Sequence, residues 1–473
     1  MRAAGFVLVF VLVVIAACGD GDRPDPDADI LIQLQALPGV TAEAQPTDRA
    51  PAGYRYFVLH VTQPVDHRVP GGATFQQQVS LIHVDRDAPM IAFTTGYDDY
   101  LHGAAGEPTV LLHANQISIE HRFFGASRPS PAVWSQLTIA QMAADEHAII
   151  ELLKPIYRAA WVSSGASKGG MTAVYHHRFY PDDVAGTVAY VAPQSFAIPD
   201  PRYASFVDTV GTEACRAAIR AYATELLAHR RDALLQRAQA EADAQATGGH
   251  GYTRIAIGPA LESAIEDFEW TFWQYFGIAD CDLIPPTTAT DDEMWATLDM
   301  ISPVSFSDDA STARFEAYFY QAQAQLGSPG GASIRGDTPP AYLAPLLLYT
   351  DADFTGTLPI GVPPPAFEPE AMRDIDDWVE HQGSHLIFVY GEWDPWTGGR
   401  FTLGNASDAL ELIEAQGTHG ARLAGLDAAD RDAAFAKLAA WTGVTPTLPS
   451  TFAAPSDDPL PLRRGPARYT GTP

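Results

Sequence analysis

Residues 165–169 read Gly-Ala-Ser-Lys-Gly, a G-x-S-x-G pattern with Ser167 at its centre. The apolar run 159–162 (AAWV) comes just before it and suits a buried strand; a helix-compatible run from 170 to 180 comes just after. Strand, tight turn and helix form the context in which this pattern raises a serine hydroxyl above the end of a sheet as a nucleophile elbow. The flanking glycines let the chain turn sharply and let a partner backbone approach closely. The competing reading is an N-cap serine in a Gly-rich turn.

Alternating elements surround the motif. Residues 54–62 (YRYFVLHVT) and 74–83 (TFQQQVSLIH) alternate or run apolar, as early strands do. Residues 89–93 lead into Thr94-Thr95-Gly96-Tyr97, a strand ending in a Gly-containing turn. Another short strand, 116–119, ends at Glu120-His121-Arg122-Phe123-Phe124-Gly125. Apolar residues at Leu137, Ile139, Met142, Ala143, Ile149, Ile150 and Leu153 predict an amphipathic helix over 137–157, and 186–192 (GTVAYVA) predicts the next strand. Strand and helix in turn build a mainly parallel α/β sheet. The rhythm then stops: 212–246 is an Ala-, Arg- and Glu-rich helical stretch, 262–276 is helical and aromatic, and Pro-rich loops fill 339–365. It resumes at 385–390 (HLIFVY). The expected layout is a sheet domain in two parts, 46–194 and 376–445, interrupted by a mostly helical cap at 195–375 and followed by a Pro-rich tail at 446–473.

An α/β-hydrolase fold delivers its catalytic groups in the chain order serine, acid, histidine. The strand at 385–390 runs into Gly391-Glu392-Trp393-Asp394-Pro395-Trp396, where the acid belongs. Asp394 is preferred over Glu392 because Pro395 fixes the backbone beside it and suits a sharp loop. After a last strand at 409–414, Gly417-Thr418-His419-Gly420 places His419 in a Gly-flanked loop before a closing helix, 427–442. A serine hydroxyl is a weak nucleophile at neutral pH, so His419 takes its proton and Asp394 holds the imidazole's tautomer and steadies its charged form. Two backbone N–H groups must face the oxyanion: one from Lys168, the other from Gly96 or Tyr97. The Lys168 side chain reads as structural, paired with a nearby acid, and a Ser-Lys dyad is the weaker alternative. His176 and His177, on the helix after the elbow, read as structural.

The ends of the chain carry separate signals. Arg2, an unbroken apolar stretch over 6–15 and then Ala16-Ala17-Cys18 read as a signal peptide at 1–18, too short to span a bilayer comfortably. Residues 15–18 (IAAC) also fit a bacterial lipobox with Cys18 as the lipidated residue; ordinary cleavage nearby is the alternative. Residues 19–45 open acidic and Pro-rich, as a solvated tether does. The expected location is therefore outside the cytoplasm, as a lipoprotein on a bacterial membrane or as a secreted protein. Two cysteines remain, Cys215 and Cys281. In an exported chain they read as one disulfide, for which chain entropy allows about 4 kcal/mol; two buried thiols are the alternative.

With 29 Lys+Arg against 58 Asp+Glu, the net charge is −29. That argues against nucleic acid, whose phosphates need a basic face, and against electrostatic docking on anionic lipid, leaving Cys18 as the only membrane attachment. No metal-ligand spacing and no phosphate loop occur, so neither metal nor cofactor is expected.

The stretch 164–175 (SGASKGGMTAVY), with 179–184 (FYPDDV) and 186–193 (GTVAYVAP), resembles the secreted bacterial serine tripeptidyl aminopeptidases, serine peptidase family thirty-seven. That family is distantly related to prolyl carboxypeptidase and dipeptidyl peptidase II. Residues 120–124 (EHRFF) with 127–129 (SRP), the block around Asp394 and the Thr418-His419-Gly420 loop fit as well. The resemblance implies an α/β-hydrolase core with a helical cap, Ser167, Asp394 and His419 in the triad positions, and release of short peptides from free N-termini. The lipobox departs from the freely secreted members. A carboxylic-ester hydrolase on the same fold and a non-catalytic surface lipoprotein remain the competing functions. An aminopeptidase must bind a free ammonium, for which Glu120, Asp267 and Glu269 are candidates, each also readable as structural. Trp270, Trp273 and Tyr275 are candidates to line a pocket for proline or another apolar residue, and Trp393 and Trp396 to wall the cleft beside Asp394; cap core is the plainer role for at least two of the first three.

Overall fold

The computed structural model describes residues 28–245, 249–330 and 339–449. The apolar and alternating runs within them are strands β1 (Val40–Gln45), β2 (Arg55–Pro64), β3 (Thr74–His83), β4 (Met90–Thr94), β5 (Asn115–Ile119), β6 (Trp161–Ala166), β7 (Gly186–Tyr190), β8 (Leu386–Gly391) and β9 (Leu410–Glu414). They pair in one sheet in the order β1-β2-β3-β5-β4-β6-β7-β8-β9. Pairing is antiparallel from β1 to β5. It is parallel from β5 through β4, β6, β7 and β8 to β9. Every residue of β4, β5, β6, β7 and β8 is buried, as befits parallel strands covered on both faces.

Helices α1 (Ile30–Gln35), α2 (Glu107–Leu112), α3 (Ile139–Leu153) and α4 (Lys168–Phe179) belong to this sheet domain. Between β7 and β8 the cap carries α5 (Pro201–Val207), α6 (Glu213–Glu225), α7 (Arg231–Gln245), α8 (Ile257–Glu266), α9 (Phe268–Tyr275), α10 (Asp291–Ile301) and α11 (Asp309–Gln321). Then α12 (Glu370–His381) and α13 (Ala428–Thr442) return to the sheet. One face is covered by α3, α4 and α12 through Met142, Val174, Tyr175, Ile375 and Trp378. The other is covered by α2 and α13 through Leu111, Leu112, Ala434 and Leu438. This is the α/β-hydrolase architecture with a helical insertion.

The cap has a core of its own, built on Ile219, Tyr222, Leu226, Phe268, Phe272, Trp273 and Leu298. Cys215 on α6 and Cys281 are joined in a disulfide, the pairing expected from the sequence. The aromatic stretch 262–276 is not one helix: Asp267 ends α8 and starts α9.

Two expected boundaries move. The tether drawn over 19–45 is ordered from residue 28: Asp29 caps α1 and pairs with Arg55, Ile30 and Leu34 enter the core, and β1 pairs along β2. The strand is hard to recognise in sequence because it holds two alanines and one buried residue, Ala42; the pairing comes from its neighbour. The cap drawn to 375 ends earlier, since α12 buries Met372, Ile375, Trp378 and Val379 against β8. Burying each such side chain is worth about 1.5–3 kcal/mol, which holds this helix on the sheet. The signal peptide with Cys18, and the tail beyond residue 449, lie outside the described residues.

Candidate active site

The sharp turn after β6 sets Ser167 at φ 56° and ψ −126°, a left-handed backbone that a non-glycine residue adopts only when its surroundings enforce it. They do. The Ser167 N–H donates to the Tyr190 carbonyl (2.9 Å), and its own carbonyl accepts from the Met171 N–H (3.0 Å), fastening the turn to β7 and α4. A Cβ at Gly165 would lie 2.5 Å from the Gly169 backbone, and one at Gly169 would collide with the Thr94 carbonyl oxygen. Both glycines are thus required by close approach. The Ser167 side chain makes no cap hydrogen bond to α4, so the helix-cap reading fails and the hydroxyl is left for chemistry.

The acid and the histidine come from adjacent loops after β8 and β9. Backbone bonds lock these loops together: Trp393 N–H donates to the Gly417 carbonyl (2.8 Å) and Glu392 N–H to the Glu414 carbonyl (3.1 Å). Asp394 is fully buried (0%) and His419 nearly so (6%). The His419 Nδ1 lies 2.7 Å from the Asp394 Oδ2, while Asp394 Oδ1 accepts from the Trp396 N–H (3.1 Å). A carboxylate only accepts, so Nδ1 carries the proton and Nε2 is left to act as a base. Glu392 is exposed and accepts from the Gln416 N–H instead. The cap contributes directly: the Gln274 carbonyl on α9 accepts from the His419 N–H (2.8 Å). A main-chain contact of this kind leaves no sequence signal.

The chain belongs to peptidase family S37. Its family model, PS-10 peptidase S37, matches residues 25–460. A prolyl tri/tetrapeptidyl aminopeptidase of Streptomyces mobaraensis is 40% identical over 401 residues, covering 83% of this chain and 81% of that one. A lysosomal Pro-X carboxypeptidase of Mus musculus is 29% identical over 181 residues, 34% of this chain and 37% of that one. Among solved structures, a proline iminopeptidase of Mycobacterium smegmatis aligns over 85% of this chain and 99% of its own, at 11% identity and a TM-score of 0.36. The protein is thus a serine peptidase, as the elbow and its flanking residues led one to expect.

Within this S37 peptidase, the other expected site residues divide. The rings of Trp270 on α9, Trp396 and Tyr203 on α5 meet edge to face at 5.0–5.7 Å, and Trp396 and Tyr275 reach His419 at 6.4 and 6.0 Å. Trp273 is cap core. Trp393 does not wall the cleft: its ring lies against Gly277, where any Cβ would overlap it, and fills the seam between sheet domain and cap. Tyr203, absent from the expected set, sits in a cap helix whose spacing says nothing about the cleft.

Glu120 does not anchor a substrate. It is buried, Oε2 accepts from the Asp99 N–H (3.0 Å) and Oε1 from the Ser127 N–H and hydroxyl (2.9 and 2.8 Å). Burial also raises its pKa, and the charge of nearby Asp99 adds to the rise. Glu269 is likewise spent, on Arg220 Nε (2.9 Å) and the Tyr342 hydroxyl (3.2 Å). Lys168 Nζ donates to the Gly96 carbonyl (2.6 Å), with the buried Glu146 as the acid whose charge acts on it, and makes no hydrogen bond to Ser167, which removes the Ser-Lys dyad. His176 and His177 bond Asp183 (2.9 Å) and Thr187 (2.8 Å), as structural residues do. Among the described residues His147, Glu151 and Asp183 have ligand atoms within 4.8 Å of one another, but the Lys154 ammonium already bridges Glu151 (2.7 Å) and Asp183 (3.4 Å).

Proposed function

We propose that this serine peptidase releases tri- or tetrapeptides from free N-termini, cutting after an apolar residue such as proline, with Ser167, His419 and Asp394 as its triad. The observation that carries the reading is the buried 2.7 Å His419–Asp394 pair, delivered in family order after an elbow whose serine hydroxyl caps nothing. In acylation, His419 Nε2 takes the proton as Ser167 Oγ bonds to the scissile carbonyl carbon. The C–N bond then breaks, and the imidazolium passes that proton to the leaving amine. Water repeats the sequence on the acyl-enzyme, with its proton going to His419 and returned to Ser167. Asp394 accepts from Nδ1–H throughout and stabilises the imidazolium. The N–H groups of Lys168 and Tyr97 face the oxyanion. The ring faces of Trp270, Trp396 and Tyr203 suit a flat apolar side chain beside His419. The relative named a prolyl tri/tetrapeptidyl aminopeptidase supports the length and the proline preference.

Ser167→Ala should abolish hydrolysis of N-terminally free peptide anilides, leaving on the order of 10⁻⁴ or less of the wild-type rate. Full activity in that variant would overturn the triad. Equal turnover of acetylated and free peptides, with p-nitrophenyl esters preferred to both, would make the protein an esterase.

The same reading has the chain exported and anchored at Cys18, supported by the lipobox-like run 15–18. Radiolabelled palmitate should mark the wild-type protein in a bacterial host and leave Cys18→Ser unlabelled; equal labelling of both removes the anchor from the proposal.

A further inference from the structure

The residue after the nucleophile touches the oxyanion loop twice. Its backbone N–H opens α4, where the first N–H groups of a helix have no partner within it. Its side chain is buried (2%), with Nζ 2.6 Å from the Gly96 carbonyl oxygen and 5.5 and 5.3 Å from the ring centroids of Tyr97 and Phe124. Gly96 itself, at φ +74°, is pressed onto the first turn of α4: a Cβ there would lie 2.5 Å from the Gly169 nitrogen and 2.7 Å from the Lys168 carbonyl carbon. The carbonyl that Lys168 holds and the N–H of Tyr97 belong to one trans peptide, in which they point to opposite sides. Whatever fixes the carbonyl also aims the N–H, and a hydrogen-bond donor on the oxygen polarises that N–H further. The Tyr97 N–H has the Thr95 hydroxyl at 3.4 Å, a long bond that a full negative charge displaces.

We propose that the Lys168 side chain is a positioning residue of the oxyanion hole. By clamping the Gly96 carbonyl it orients and polarises the Tyr97 N–H, while its own backbone N–H supplies the other donor. One residue thereby sets both halves of the hole. The proposal rests on Ser167 being the nucleophile. It adds that the Lys168 Nζ acts in the transition state through a peptide it never leaves, without contacting the substrate.

The test is Lys168→Met, beside Lys168→Gln and Lys168→Arg, each checked for folding by thermal melting. For each, kcat, KM and the inhibition constant of a peptide aldehyde, which forms a tetrahedral adduct with the serine, are measured. Losing one oxyanion donor costs roughly 10²–10³ in kcat, so Lys168→Met should fall about 10²-fold in kcat with KM changed less than about threefold. The aldehyde should weaken by the same factor as kcat/KM across the series, with Lys168→Arg nearest to wild type. Affinity for the matching peptide alcohol, which has no carbonyl and carries no charge in the hole, should stay constant. Aldehyde affinity and kcat unchanged in Lys168→Met, or peptide-alcohol affinity and KM worsening in parallel with kcat, overturns the proposal. If Lys168→Met does not fold, the same correlation among the Gln and Arg variants decides. Ser167→Ala, assayed alongside, separates the two failures: activity surviving there sinks the nucleophile, whereas activity lost there but kept in Lys168→Met sinks only the clamp.

Discussion

Asp394 and Glu392 show how two residues of the same chemistry, two positions apart, receive different work. Pro395 pins the backbone and the following turn uses Asp394 as its cap, so the Asp394 carboxylate faces inward with one oxygen on Trp396 N–H and the other on His419. Glu392 stays at the surface, on the Gln416 N–H. Asp394→Asn should therefore lower kcat by about 10⁴, the cost of a histidine held in the wrong tautomer, while Glu392→Gln stays within about twofold. Steady-state kinetics of the two variants checks this, and comparable losses in both would reverse the assignment. The preference for Asp394 was legible from Pro395 alone. The commitment of Glu120 to the Asp99 and Ser127 amides was not, because Ser127 reaches it only when the 120–127 loop folds back on itself and Asp99 only when the segment after β4 lies beside the end of β5.

At the scale of the element, α9 is the piece that couples cap to chemistry. Its Trp270 meets Trp396 edge to face, and its Gln274 carbonyl holds the His419 loop. If the ring binds substrate as proposed, without touching the reacting bond, Trp270→Ala should raise KM about tenfold and leave kcat within about threefold. A kcat collapse at constant KM would instead place Trp270 in the triad's support. The Cys215–Cys281 link ties α6 to the turn just after α9, across 66 positions of chain. Replacing both cysteines by serine should cost up to about 4 kcal/mol by the chain-entropy estimate, read as a lower denaturant midpoint. The existence of these helices was legible from composition and periodicity. The break at Asp267 was not, since a run of good helix formers carries no mark of where tertiary packing turns the axis.

For the whole molecule, buried histidines set the acid limit. Burial holds His177 down to about 3 and His176 and His121 also below the usual imidazole value. A depressed folded-state pKa means the unfolded chain binds protons first, so this stability is complete above about pH 6.5 and is lost as pH falls toward 3. His177→Asn, which cannot titrate, should flatten the pH dependence of unfolding free energy between pH 6 and 4 by up to about 1.4 kcal/mol per pH unit. An unchanged slope would mean His177 charges without penalty. The sequence by itself determined most of the order of strands and helices, the candidate nucleophile, acid and base, and the interruption by a cap. Each is written in local periodicity, in a turn that only glycines permit, or in chain order. Only the tertiary structure decided which carboxylates are already paired, which tryptophans face the cleft and where the Lys168 side chain goes. Those outcomes depend on groups dozens to hundreds of residues apart meeting in a dry interior, where each polar atom takes the partner that packing leaves within reach.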